Sequence, residues 1–262
     1  MSGAALLNAE HVTVRFGGVL ALDDVSLQAG ESTVVGLVGP NGAGKTTLFG
    51  VLSGLVRPRS GRVLLRGTDV TRAPPQRRAH LGLARTFQRI ELFTELTVRE
   101  HLVVAHRAHE YRDRRLLADL AGLGGRSSPR EREVVDRLLD MLGLAPMADQ
   151  PAALLPLGTG RLVEVARALA TEPAVVLLDE PTSGLDAEET TRLARALERT
   201  RSDLGVAVVL VEHNVDFVLE LAEHVTVLDF GKSIATGTPP AIRANEAVQA
   251  AYLGSAVSAE AT

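Results

Sequence analysis

The sequence has no cysteine and no tryptophan, and only 3% of its 262 residues are aromatic. Without thiols there are no disulfides, no zinc thiolate centres and no cysteine nucleophile. The shortage of rings calls for an aliphatic core and speaks against single-strand nucleic-acid binding, which relies on aromatic stacking platforms. A net charge of -4 gives no global attraction to nucleic acid or to anionic lipid. No apolar run approaches the roughly 20 residues that span a bilayer. Met1–Glu10 shows neither the basic start nor the apolar stretch of a secretory signal. The expectation is a cytoplasmic chain that forms no pore by itself. Lysine is nearly absent too: of 28 basic residues only Lys45 and Lys232 are lysines. A compact ammonium and a planar guanidinium are not interchangeable, so the place of each lysine carries information.

What is present is ordinary for a folded chain, with 45% hydrophobic and 23% charged residues, enough for one domain with a subdomain. Ala9–Phe16 and Val19–Leu27 read as strands around a Gly17-Gly18 turn, and Thr33–Val38 as a buried β-branched strand. The spacing of Leu48, Val51, Leu52 and Leu55 predicts a helix over Thr46–Leu55, followed by a strand at Gly61–Arg66. Val98–Ala108 and Glu131–Leu142 are helical in pattern, so Phe87–Leu157 reads as a mostly helical insertion. Helices at Arg161–Ala170, Ala187–Arg201 and Val215–Ala222 then alternate with strands at Val175–Leu178, Val206–Val211 and Val225–Leu228. Such alternation with apolar strands predicts an α/β fold with a parallel sheet covered on both faces. From Ser255 to Thr262 the chain turns small and polar and is expected to be a flexible tail.

Gly39-Pro40-Asn41-Gly42-Ala43-Gly44-Lys45-Thr46 matches G-x-x-x-x-G-K-[ST] in full, between a predicted strand and a predicted helix that continues through Thr47. Glycines let the backbone curl so that successive N–H groups face phosphate oxygens, and the helix start adds positive partial charge. Lys45 is placed to meet the β and γ phosphates, and the Thr46 hydroxyl to ligate Mg²⁺. Val175-Val176-Leu177-Leu178-Asp179-Glu180-Pro181 is an apolar strand ending in two carboxylates. Asp179 suits a Mg²⁺ contact, and Glu180 a base that polarises the attacking water.

Further segments fall into a fixed order. Gln88 follows Ala84-Arg85-Thr86-Phe87, Leu155–Arg161 opens a helix, Ser183-Gly184-Leu185-Asp186 follows the acidic strand, and His213 ends the next one. This order, from about Leu7 to Gly254, resembles the ATP-binding subunit of an ATP-binding cassette (ABC) transporter. The resemblance implies a P-loop NTPase (RecA-like) core with a mainly parallel sheet and an N-terminal antiparallel β-subdomain, together over residues 1–86 and 158–254. An α-helical subdomain would occupy about 87–157. It also implies that Phe16 stacks on adenine, that Gln88 touches Mg²⁺ and water, that His213 contacts the γ-phosphate and that Asp186 lies at a dimer seam. Two such chains would sandwich two ATP molecules on the cytoplasmic face of a membrane and drive transmembrane permease subunits.

Narrower markers are Arg15-Phe16-Gly17-Gly18, Ala84-Arg85-Thr86-Phe87-Gln88, Leu96-Thr97-Val98 with Glu100, Val211-Glu212-His213-Asn214, Ala235–Pro239 and Tyr252-Leu253-Gly254. These resemble ATPases of branched-chain amino-acid importers, which implies an indirect partner in a solute-binding protein. Relatives carrying other small polar solutes would share them. Two other readings stand beside this one. A cytoplasmic ABC protein that remodels nucleic acid or ribosomes lacks its usual tandem cassette or basic arms here. A nucleotide-binding pseudo-ATPase or regulatory protein is raised by a departure in the signature loop.

That loop reads Leu-Ser-Gly-Gly-Gln in the family, and the matching residues here are Leu155, Pro156, Leu157, Gly158 and Thr159. Family signatures hold the γ-phosphate of ATP bound on the opposite subunit, and Pro156 offers neither hydroxyl nor N–H. Gly158 survives, and Thr159 keeps a hydroxyl one step away. Loss of one contact to a developing anion costs about 10²–10³ in rate. The expectation is a second, different ATPase subunit whose intact signature completes this chain's site, favoured over a second copy of this chain. Pro156→Ser should then raise ATP turnover of the assembled transporter; unchanged turnover would show that Thr159 and the backbone compensate.

Overall fold

In a computed structural model of the chain, the described residues are 5–86, 90–110 and 128–259. They divide into two compact units, one formed by residues 1–85, 174–181 and 200–262 and the other by residues 86–173 and 182–199.

The first unit contains every strand among the described residues. β1 (Ala5–Phe16) and β2 (Val19–Gly30) form an antiparallel hairpin, and β4 (Ser60–Leu65) and β5 (Thr68–Asp69) complete a four-stranded sheet in the order β2-β1-β4-β5. Leu7, Ala9, Val12 and Val14 of β1 are buried while intervening residues are not, the pattern of a sheet with one face on a core. The second sheet has the order β10-β9-β3-β8-β7-β6. Its strands are β3 (Val34–Val38), β6 (Leu83–Arg85), β7 (Val175–Asp179), β8 (Ala207–Val211), β9 (His224–Asp229) and β10 (Lys232–Gly237). All neighbours are parallel except β9 and β10. Every residue of β3, β7 and β8 is buried, as expected of strands covered on both faces. Leu22, Leu48, Phe49, Leu52, Leu177 and Val209 share one aliphatic core with β1.

The helices of this unit are α1 (Lys45–Ser53), α2 (Pro75–His80), α7 (Val215–Leu221), α8 (Pro239–Arg243) and α9 (Glu246–Ala259). The second unit holds α3 (Val98–Glu110), α4 (Pro129–Met141), α5 (Leu157–Leu169) and most of α6 (Ala187–Leu204). Its helix starts are written locally. Thr97 and Glu100 exchange hydrogen bonds across the first turn of α3, and Ser128 accepts from Glu131 N–H ahead of Pro129 on α4. The buried Glu131 carboxylate receives two bonds from Arg107, at 2.6 and 3.1 Å, tying α3 to α4.

Some observed elements extend the predicted ones, as β1, β2 and α6 do, others stop short of them, as α1, β3, β8 and α7 do, and some are added. β5, α2, β6 and α8 are too short for periodicity to register, and β10 is a half-exposed strand with no apolar run to mark it. α5 begins at Leu157, four residues before the predicted start, because Gly158 and Gly160 continue the helical turn: the Gly160 N–H bonds Pro156 O. The predicted tail is helical through Ala259, a stretch in which alanine keeps the entropy cost low. The Arg-rich segment before Ser127 and Gln88 lie outside the described residues.

One interior residue was invisible to pattern reading. Arg78 of α2 is 1% exposed and donates to Val51 O, Leu52 O, Thr71 O and Ala73 O. The first two are carbonyls at the end of α1, where a cation is favoured. Burial pulls its pKa down to about 10, so the guanidinium stays charged near neutrality. Arg78→Met should destabilise the chain by roughly 3 kcal/mol, by leaving buried carbonyls without donors. A urea midpoint close to that of the unsubstituted protein would refute this.

Candidate active site

The loop after β3 has backbone that favours glycine at Gly39, Gly42 and Gly44, and at the first and last of these a side chain would also collide with its surroundings. Gly39 sits at φ +152°, where a Cβ would fall 2.2 Å from Leu228 O. Gly44 sits at φ +105°, with Ala21 O and Leu22 Cδ2 both 2.8 Å from such a Cβ. The bend delivers Lys45 to the first position of α1. Lys45 is 5% exposed, and its ammonium donates to Gly39 O and, at 3.0 Å, to Pro40 O. Burial lowers the Lys45 pKa, and the Glu180 carboxylate pulls it upward. Thr46 is exposed beside it and Thr47 half-buried. Asn41 and Gly42 are exposed, Pro40 is half-buried, and Ala43 is packed into the core.

Parallel pairing brings the other charged groups to the same sheet edge. Asp179 closes β7 opposite Val211 of β8. Burial raises the Asp179 pKa, and the neighbouring Arg85 guanidinium opposes that rise. Glu180 follows at φ +47°, a left-handed conformation costly for a residue with a Cβ, with its N–H held by Val211 O at 2.8 Å. That turn aims its carboxylate at His213, whose Nε2 pairs with Glu180 Oε1. Phe16 ends β1 and is 54% exposed, which leaves it open to stacking.

The described residues contain no group of three or more His, Cys, Asp or Glu that could hold a metal alone. A hydroxyl (Thr46) and a carboxylate (Asp179) are hard oxygen donors of the kind that bind Mg²⁺ together with water and phosphate oxygens. The donor set therefore fits a phosphate-borne Mg²⁺.

Gly158, Thr159 and Asp186 belong to the second unit. Asp186 is exposed and caps α6: its Oδ1 accepts from Glu189 N–H at 2.8 Å, and Glu189 Oε2 accepts from Asp186 N–H at 3.1 Å. The other Glu189 oxygen accepts from Gly158 N–H at 3.2 Å. Thr159 is 4% exposed, so the hydroxyl that stands one step from the expected place lies inside the protein rather than on its surface. Thr159 lies in the first turn of α5, where every residue from Gly158 to Ala166 is buried.

Three further residues have structural roles that the sequence did not show, Arg85 and Tyr252 in the first unit and Glu189 in the second. Arg85, within the Ala84–Gln88 marker, pairs with Asp179. Tyr252, also part of a marker, buries its hydroxyl beside the Gly39 backbone, and burial pushes its pKa up to about 12. Glu189 sits three residues after Asp186, the capping-box spacing that could have revealed it.

The sequence matches the ABC transporter family over residues 22–183 and the branched-chain amino acid ATP-binding cassette transporter family over residues 232–258. It is 39% identical to BraF of Pseudomonas aeruginosa, a high-affinity branched-chain amino acid transport ATP-binding protein, over 96% of this chain and 98% of that one. LivG of Escherichia coli, with the same description, is 38% identical over 96% and 98%. The ADP conformation of MJ1267, an ATP-binding cassette of an ABC transporter, superposes with a TM-score of 0.81 and 30% identity, covering 96% of this chain and 99% of that one. These likenesses lend no support to a pseudo-ATPase. The chain belongs to the ABC transporter family, as an ATP-binding subunit that hydrolyses ATP.

Proposed function

We propose that this chain is the ATP-driven motor of an importer for branched-chain amino acids or related small polar solutes, acting at the cytoplasmic face of the membrane against permease subunits. The observation that carries the catalytic part is the Glu180–His213 pair at the same sheet edge as Lys45. The match over residues 232–258 and the BraF and LivG relatives support the choice of cargo.

Roles follow from chemistry. Backbone N–H groups from Gly39 to Thr47 would cradle the phosphates, with the start of α1 favouring negative charge. Lys45 would exchange its two carbonyl acceptors for phosphate oxygens, which recover the full strength of a charge-assisted bond. Phe16 would stack on adenine. Thr46 and Asp179 would hold Mg²⁺ with Gln88, and the bound ion would neutralise charge developing on the phosphates. Glu180 would accept the proton of the attacking water, and His213 would hold the carboxylate in place and reach the γ-phosphate. Catalysis here is mostly positioning and electrostatics, which suits a site built on strand ends.

The signature loop supports a pairing with a different ATPase subunit. Pro156 has no donor, Thr159 is buried, and Gly158 N–H already has the Glu189 carboxylate as acceptor. Opposite a partner with an intact signature, this chain's phosphate loop would be completed, while the site facing Pro156 would turn over slowly.

Glu180→Gln should lower ATP turnover by about 10²-fold or more while leaving ATP binding intact; a turnover within threefold of the unsubstituted complex removes Glu180 from the base role. In proteoliposomes with its permeases and binding protein, leucine, isoleucine or valine should stimulate ATP hydrolysis and accumulate inside the compartment served by import. Stimulation by another small polar solute alone would reassign the cargo, and ATP-driven movement in the opposite sense would reject import.

A further inference from the structure

Arg85 is the last residue of the short strand β6, paired beside Leu177 of β7, two residues before Asp179. Its side chain is 17% exposed and meets three groups at once. Nη2 donates to Asp179 Oδ2 at 3.1 Å, and Nη1 donates to Ser53 Oγ at 2.9 Å. The guanidinium carbon stands 4.7 Å from the centroid of the Phe49 ring, within cation–π range. Ser53 is itself anchored, donating to Gly50 O at 3.2 Å.

Phe49 and Ser53 both lie on α1, the helix that starts with Lys45 and Thr46. Arg85 therefore spans from the helix that carries the Thr46 hydroxyl to the strand end that carries the Asp179 carboxylate. These are the two described residues proposed to hold Mg²⁺. The planar fork is suited to this: two divergent N–H directions and a flat face serve three contacts that a lysine ammonium on the same backbone cannot match together. Occupying Oδ2 also fixes which Asp179 oxygen is left for the ion or its water, as outer partners of metal-binding carboxylates commonly do.

We propose that Arg85 is a positioning residue for magnesium: it sets the spacing and orientation of Asp179 relative to Thr46, and so tunes the affinity for Mg²⁺-nucleotide without touching nucleotide itself. The inference rests on the reading of Thr46 and Asp179 as the cation's ligands. It separates Arg85 from a merely structural ion pair, because a structural residue would affect nucleotide binding equally with and without the metal.

The test measures binding of a fluorescent ADP analogue to the full chain, once with excess Mg²⁺ and once with EDTA. It is accompanied by the Mg²⁺ concentration that half-activates ATP hydrolysis and by thermal unfolding. Arg85→Met should weaken Mg²⁺-dependent binding about tenfold and raise the half-activating Mg²⁺ about tenfold, with binding in EDTA changed less than twofold. Arg85→Lys should fall between the two, and Ser53→Ala, which removes one strut and leaves the charge, should move both readouts two- to threefold in the same direction. Should Arg85→Met fail to fold, Arg85→Lys and Ser53→Ala decide. Equal losses in Mg²⁺ and EDTA, or Mg²⁺ dependence unchanged in the folded variants, overturn the proposal. If the unsubstituted chain shows no Mg²⁺-dependent gain in affinity, the metal assignment itself falls instead, so the two failures are distinguishable.

Discussion

Parallel strand pairing is the constraint from which the chemistry of this chain follows. In a parallel sheet every carboxyl end points the same way, so whatever follows each strand gathers along one edge. The register places the Gly39 bend after β3, Asp179 and Glu180 at the end of β7, and Glu212 with His213 just past β8. Arg85 ends β6 along the same edge. Residues scattered from position 39 to position 213 become neighbours because the strands between them are apolar enough to be buried on both faces. An antiparallel sheet would have sent half of them to the opposite end.

The site also shows how few charges a buried edge tolerates and how each is balanced. Lys45 has two carbonyl acceptors and an attractive carboxylate nearby. Asp179 has Arg85, and Glu180 has His213. Arg78, deeper still, is surrounded by carbonyl oxygens at a helix end. In a chain with 28 basic residues and two lysines, arginines fill the interior structural positions and a lysine the phosphate position. That division follows from shape. A guanidinium spreads its charge over several fixed donors, whereas an ammonium on a flexible stem can swing from backbone carbonyls to an incoming anion.

The signature segment is organised differently from the phosphate loop. Glu189 links the first turn of α5 to the capping box of α6, using one carboxylate for two backbone N–H groups. It thereby supplies the α5 start with an acceptor that Pro156 has no side chain to provide, and a Cβ on Gly158 would collide with that carboxylate at 2.3 Å. A side chain at that position would have to displace the Glu189 carboxylate from the Gly158 N–H.

Much of this was legible in the sequence because it is encoded locally. The phosphate loop is a contiguous run whose glycines, lysine and flanking strand and helix can be read directly. The long strands and helices announce themselves by periodicity, and the caps at Thr97 and Ser128 lie within one turn of what they cap. Other features have no local signature. β6 is three residues long and acquires its identity by pairing with β7, 90 residues away in sequence and more. The burial of Arg78, the inward turn of Thr159 and the contact of Tyr252 with Gly39 likewise depend on which elements meet. The sequence by itself determined the phosphate-binding bend, the acidic strand end and the α/β class, since each is a short-range pattern of backbone preference and hydrophobicity. The tertiary structure alone decided that Arg85 reaches Asp179 from one side and α1 from the other, because that contact exists only when strand order and helix packing place separate segments within hydrogen-bond reach.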